Sequence, residues 1–128
     1  MPTQNTVLII EDRAEVREIL YEGLSFYSYR VITAATIQEA EEALQCLGVA
    51  EIDLVIADIN LTHNPKAQEG YALYKRWSRQ YPAFHFILIS GDPRNQELPE
   101  IRARAVPFLV KPFGIDALHE VVQEVLGK

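Results

Sequence analysis

Ile52-Asp53-Leu54-Val55-Ile56-Ala57-Asp58-Ile59-Asn60 is the stretch that decides the fold. A short apolar run, Leu54 to Ala57, drives straight into an acid. So short a β-branched run, without alternation, reads as a strand buried on both faces, as strands of parallel sheets are. A carboxylate at the carboxyl end of such a strand stands where open α/β sheets place their ligands. Asp58 is therefore the first residue to explain.

The same punctuation recurs on both sides of it. Val7-Leu8-Ile9-Ile10 reads as a strand ended by Glu11-Asp12, and a helix follows with Val16, Ile19, Leu20, Leu24 and Tyr27 on one face. Asp12 with Glu15 has the form of a capping box for that helix. Tyr29 to Thr33 reads as a more peripheral strand, and Thr36-Ile37-Gln38-Glu39 opens a helix that Gly48 stops. Beyond Asp58, Thr62 to Gly70 is a loop by composition, and helical spacing resumes at Leu73, Tyr74, Trp77 and Tyr81 until Pro82. Phe84 to Ile89 makes a fourth strand ending at Ser90-Gly91-Asp92-Pro93. Pro99 suits a first helical position in a short helix, Leu98 to Arg104. Phe108-Leu109-Val110 is the fifth strand, ending at Lys111-Pro112, and Ile115, Leu118, Val122 and Val125 mark a last amphipathic helix. Strand and helix thus alternate five times with short connections, which calls for a parallel sheet covered on both faces.

Composition narrows the class. A chain of 128 residues suits one domain, residues 1–128, with a core that requires no disulfide or metal staple. Hydrophobic content of 48% and charged content of 23% are ordinary globular values. The lone Cys46 excludes an internal disulfide and reads as a small buried hydrophobe. No apolar run approaches a membrane span, and the start lacks the regions of a signal peptide, so a cytoplasmic location is expected. A net charge of −6 disfavours nucleic acid or an anionic membrane as a bulk partner.

Polar residues collect at the carboxyl ends of the strands: Glu11-Asp12, Asp58, Ser90 and Lys111. In a parallel sheet these ends share one edge, so they can converge. Carboxylates brought together must raise a pKa or bind a cation. Mg2+ suits them, because it prefers hard oxygen ligands and keeps several waters. A hydroxyl and an ammonium beside the metal suit the remaining oxygens of a phosphoryl group. The set points to a carboxylate that accepts phosphate.

At these positions the sequence resembles a response-regulator receiver domain over essentially its whole length. Val7 to Asp12, Asp58-Ile59-Asn60, Ile89-Ser90-Gly91 and Phe108 to Phe113 fall in order at family-like spacing. The resemblance implies a CheY-like, flavodoxin-like (βα)5 doubly wound parallel sheet of strand order 2-1-3-4-5. It implies Asp58 as phosphoacceptor, and Mg2+ held by Asp12 and Asp58, by Glu11 largely through water and by the Asn60 backbone carbonyl. Ser90 and Lys111 would bind phosphoryl oxygens, and Phe108 would be the switch aromatic. A cis peptide before Pro112 is also implied. The expected function is Mg2+-dependent phosphorylation of Asp58 in a two-component or phosphorelay pathway. It would switch the face formed by the fourth helix, fifth strand and fifth helix, around Arg102, Arg104 and Phe108. The implied partner is a histidine kinase or histidine phosphotransfer protein, with a downstream protein target and scope for a phosphorylation-dependent dimer. Such a protein is not an enzyme beyond its own phosphorylation and dephosphorylation.

The chain also departs from the family. The loop from Asp58 to Gly70 is about four residues longer than usual and lacks the common Met-Pro, Gly91 replaces an alanine, and Phe108 has no hydroxyl. These departures admit an alternative, a receiver-like docking module that acts independently of phosphorylation. A phosphohydrolase with an aspartyl-phosphate intermediate is disfavoured, since Asn60 stands where such an enzyme would carry a second acid. His63 in the long loop reads as a solvated histidine. The end at Leu126-Gly127-Lys128, directly after the last helix, fits both a stand-alone receiver and part of a longer protein.

Overall fold

Strand alternation sorts the core into two layers. A computed structural model of the chain describes residues 4–62, 64 and 66–127, so His63 lies outside the described residues. The five strands are β1 (Thr6–Ile10), β2 (Arg30–Ala34), β3 (Leu54–Asp58), β4 (His85–Ser90) and β5 (Phe108–Val110). All pair in parallel, in the order β2-β1-β3-β4-β5. Between and after them run α1 (Ala14–Phe26), α2 (Ile37–Leu47), α3 (Glu69–Gln80), α4 (Pro99–Arg102) and α5 (Ile115–Leu126). Successive side chains on a strand point to opposite faces. Leu8, Ile10, Val55, Ala57, Phe86 and Leu88 accordingly pack with residues of α2, α3 and α4. Val7, Ile9, Leu54, Ile56, Ile87 and Ile89 pack with residues of α1 and α5. The doubly wound sheet expected from the sequence is the one observed. No helix of the described residues is long and apolar enough to cross a membrane.

Several local expectations give way to tertiary geometry. Asp12 does not cap α1: Arg13 is the N-cap, with no side-chain bond, and the backbone N–H of Arg13 donates to the Glu11 carboxylate at 3.1 Å. Ile19 is 64% exposed, because the buried stripe of α1 runs along Leu20 and Leu24 and Ile19 lies a third of a turn off it. Tyr27 is the C-cap of α1, half-buried beside α5. At α2 the Thr36 hydroxyl accepts from the Glu39 N–H at 3.1 Å, and the Glu39 carboxylate accepts from Ala35 N–H at 2.8 Å. Gly48 ends α2 with φ +89°, a conformation open to glycine. Cys46 is exposed, being about 200° around α2 from buried Leu44.

The third helix begins earlier than composition suggests, at Glu69, whose carboxylate accepts from the Leu61 N–H at 3.2 Å. Trp77, Tyr74, Tyr81, Phe84 and Phe86 form one aromatic cluster beneath it. The fourth helix is shorter than expected. A 3-10 turn (Pro93–Glu97) precedes it, Pro99 opens it as anticipated, and Arg104 reverses the chain with φ +60°.

Gly70 positions α3 against the strand that carries Asp58. A Cβ on it would stand 1.8 Å from the Asp58 carbonyl oxygen, while the Gly70 N–H donates to the Ile59 carbonyl at 2.9 Å. A Cβ on Gly91 would meet open space. Gly70→Ala is therefore expected to cost about 1–3 kcal/mol in urea unfolding, the usual range for overpacking. Gly91→Ala should stay within about 0.5 kcal/mol of the parent.

Candidate functional site

The parallel register brings the carboxyl ends of β1, β3 and β5 to one edge. There the Lys111 ammonium donates to the Glu11 carboxylate at 2.7 Å and to the Asp58 carboxylate at 2.7 Å. Glu11 is fully buried and Asp58 nearly so, with 0% and 4% exposed. Buried charges are tolerable when paired and hydrogen-bonded, and here one cation serves two anions. Burial alone would lower the Lys111 pKa. Its bonds to Asp58 and Glu11, with their charges, outweigh that and hold it above its ordinary value. The lysine is thus firmly protonated. The other Asp58 oxygen accepts from the Asn60 N–H at 3.0 Å, which fixes the carboxylate's orientation.

Asp12 completes the acidic set. Ligand oxygens of Glu11, Asp12 and Asp58 all lie within 4.8 Å of one another. Burial first, then a hydrogen bond and repulsion from Glu11, raise the Asp12 pKa above its ordinary value. Asp12 and Asp58 share a cavity of about 830 Å3 with Asn60, Thr62, Lys111, Gly91 and Asp92, walled on the apolar side by Val16, Ile19, Leu20, Pro112 and Phe113. The Asn60 Oδ1 is buried and has no hydrogen-bond partner among the described residues. Hard carboxylate oxygens crowded this closely are a donor set that fits a divalent cation. The Lys111–Pro112 peptide is cis, as the resemblance implied.

Ser90 does not join this cluster. It follows Leu88 on the α2–α4 face, whereas Asp58 follows Leu54 and Ile56 on the α1–α5 face. It is 0% exposed, and its hydroxyl accepts from Asn95 Nδ2 at 2.7 Å and from the Asp92 N–H at 3.0 Å. Phe108 pairs with Leu88, two residues along from the Ser90–Val110 pair. It is half-buried and lines a groove with Arg102, Arg104 and Val106. Asn95 escaped the sequence reading: an asparagine in a polar turn carries no signal until its burial is known.

Fold and site together define a flavodoxin-like α/β domain with an acidic pocket and a lysine at its carboxyl edge. The chain belongs to the response regulator receiver domain family, which matches residues 7–123, and is thus the receiver domain of a two-component response regulator. It is 29% identical over 128 residues to a probable transcriptional regulator, ycf27, of Guillardia theta, covering 100% of this chain and 48% of that protein. It is 31% identical over 109 residues to the response regulator GtcR of Aneurinibacillus migulanus, covering 85% of this chain and 42% of that protein. The chain spans about half the length of the curated relatives it matches. Among solved structures, the chemotaxis response regulator CheY4 of Vibrio cholerae superposes with TM-score 0.78 at 28% identity, covering 97% of this chain and 100% of that one. The response regulator TrrA of Thermotoga maritima, solved in complex with Mg2+–BeF, superposes with TM-score 0.80 at 24% identity over 96% and 100% of the two chains.

The raised Asp12 pKa carries a signed prediction. A carboxylate whose folded pKa lies above its unfolded one destabilises the fold once it ionises. That penalty is absent below the ordinary value of 3.8 and complete above the raised one. Asp12→Asn should therefore raise the melting temperature at neutral pH without Mg2+, and the gain should vanish as pH falls below 3.8. Thermal melts across that range read it directly.

Proposed function

We propose that residues 1–128 act as one receiver domain whose phosphoacceptor is Asp58. The observation that carries this reading is the Lys111 ammonium bridging Asp58 and Glu11 at 2.7 Å each, beside an open cavity. One Asp58 oxygen is held by Lys111 and the other by the Asn60 N–H, so the nucleophile is fixed before any donor arrives. Attack of a carboxylate oxygen on the phosphorus of a phosphohistidine forms the acyl phosphate and breaks the N–P bond. The imidazole leaves with the bond pair and is protonated from solvent. Lys111 stands where negative charge builds up on the transferring group.

Asp12, Asp58 and the Asn60 carbonyl would hold Mg2+. Both Glu11 oxygens are already engaged, by Lys111 and by the Arg13 N–H, which favours an indirect role through water. Bound there, the metal would supply charge neutralisation at the phosphoryl oxygens. The activity is self-modification, with slow hydrolysis of the acyl phosphate, rather than turnover of a diffusible substrate. A histidine kinase or histidine phosphotransfer protein is the matching donor.

Phosphorylation adds charge and acceptor oxygens over Asp58. Ser90 can donate to one of them only by turning from its present partners, which leaves space that Phe108 can enter. Reversing a 1:99 population requires roughly 5.5 kcal/mol of preference for the active state. Charge-assisted hydrogen bonds from Lys111 and Ser90 in a partly buried site contribute much of that. The surface that responds is the α4–β5–α5 face around Arg102, Arg104 and Phe108, where a groove of about 550 Å3 lies open to a downstream partner.

Incubation with Mg2+ and a small phosphodonor should give one hydroxylamine-labile phosphoryl group per chain. Asp58→Asn should abolish it. Labelling of that variant at full stoichiometry would sink the assignment. Lys111→Ala should lower the melting temperature and cut the labelling rate of the folded protein by about 10²–10³-fold, the scale of a single charge-stabilising donor.

A further inference from the structure

Ser90, Asn95 and Gln68 form a side-chain chain that leads away from the phosphorylation site into the lengthened β3–α3 segment. A serine hydroxyl offers one proton and two acceptor positions. The Asp92 N–H at 3.0 Å and Asn95 Nδ2 at 2.7 Å take both acceptors. The proton is directed at the Asp92 carbonyl at 3.5 Å, the outer limit of a hydrogen bond. The strong contacts of Ser90 therefore hold it where it is, and its weak one is the proton a phosphoryl oxygen would accept.

Asn95 is 5% exposed, so its amide has no ready access to water. Its Oδ1 accepts from Gln68 Nε2 at 3.3 Å. Gln68 is the N-cap of α3 and stands in the left-handed region at φ +47°, uncommon for a residue other than glycine, asparagine or aspartate. Three residues on, the Tyr71 hydroxyl pairs with Glu100 and Lys75 lies over the Tyr71 ring at 4.9 Å. Two links thus join the start of α3 to the segment around α4. The Tyr71–Glu100 link is independent of Ser90, and the Gln68–Asn95 link is one bond away from it.

We propose that Asn95 is a positioning residue of the switch: it holds the Ser90 hydroxyl away from Asp58, and its release upon phosphorylation frees Gln68 at the start of α3. This rests on Asp58 being the phosphoacceptor. When Ser90 turns towards the phosphoryl group, the Asn95 amide loses its acceptor in a buried place. A buried donor without a partner is costly, so Asn95 re-pairs and its bond to Gln68 does not survive unchanged. Phosphorylation then alters two surfaces, the α4–β5–α5 face and the start of α3.

The test uses the full chain with Mg2+ and beryllofluoride, a mimic of the phosphoryl group. Wild-type protein should bind the mimic, and the Gln68 side-chain amide resonance should shift on binding while the Tyr71 ring signals move little. Asn95→Leu, which keeps bulk and removes the donor, should bind the mimic about fivefold more tightly, the effect of one neutral hydrogen bond. In a Ser90→Ala background the same substitution should have no effect on affinity, and the Gln68 shift should be lost. A merely structural Asn95 would lower stability without this Ser90-dependent gain. Unchanged or weaker binding by Asn95→Leu, or a gain that persists without the Ser90 hydroxyl, overturns the proposal. If Asn95→Leu does not fold, the wild-type and Ser90→Ala Gln68 shifts decide alone, and a static Gln68 signal overturns it. Failure of wild-type protein to bind the mimic at all would instead remove the phosphoacceptor reading on which this rests.

Discussion

One ammonium holds the site together. Glu11 follows β1, Asp58 ends β3 and Lys111 follows β5, and the lysine bonds both acids at 2.7 Å. Two carboxylates this deeply buried cannot stay ionised side by side without a cation between them. The strand order supplies it, since parallel pairing in the order β2-β1-β3-β4-β5 puts all three strand ends on one edge. The backbone reinforces the arrangement, with the Lys111 N–H donating to the Ser90 carbonyl at 2.8 Å and the Ile59 N–H to the Ile89 carbonyl at 2.9 Å. Among the described residues the Asp12 carboxylate, raised in pKa by burial and by Glu11, has no cation in hydrogen-bond contact.

Alternation along the strands divides the site between the two faces of the sheet. Asp58 belongs with the residues that face α1 and α5, and Ser90 with those that face α2, α3 and α4. Ser90 ends β4 on the same edge as Asp58, and the partners of its hydroxyl, Asp92 and Asn95, belong to the segment leading into α4. The shortness of α4, four residues after a 3-10 turn, leaves that segment with few helical bonds of its own to resist movement. Tertiary ties from Gln68 and Tyr71 hold it instead.

The fold class was legible in the sequence, and so were the polar residues at the strand ends. Five short apolar runs separated by helical periodicity left a doubly wound parallel sheet as the natural solution, and four of them led into a residue with chemistry: Glu11, Asp58, Ser90, Lys111. Strand ends are legible because burial on both faces forces an uninterrupted apolar run, so the first polar residue after it marks the edge. What only the tertiary structure decided was which neighbours those residues have. Asp12, read both as a helix cap and as a member of the acidic set, keeps only its place at the cavity, Ile19 and Cys46 looked buried and are exposed, and α4 ended early where Arg104 turns the chain. Helical spacing fixes a face to within a turn, but the partner's shape settles which flank is covered. Asn95 and Gln68 were invisible for a related reason. They are loop residues by composition, and their role arises from a single hydrogen-bonded path between segments 27 residues apart. Nothing in the local sequence encodes it. That path is set by the packing of α3 against the sheet, with Gly70 in contact with the carbonyl of Asp58, the acid at the end of the stretch where the fold is decided.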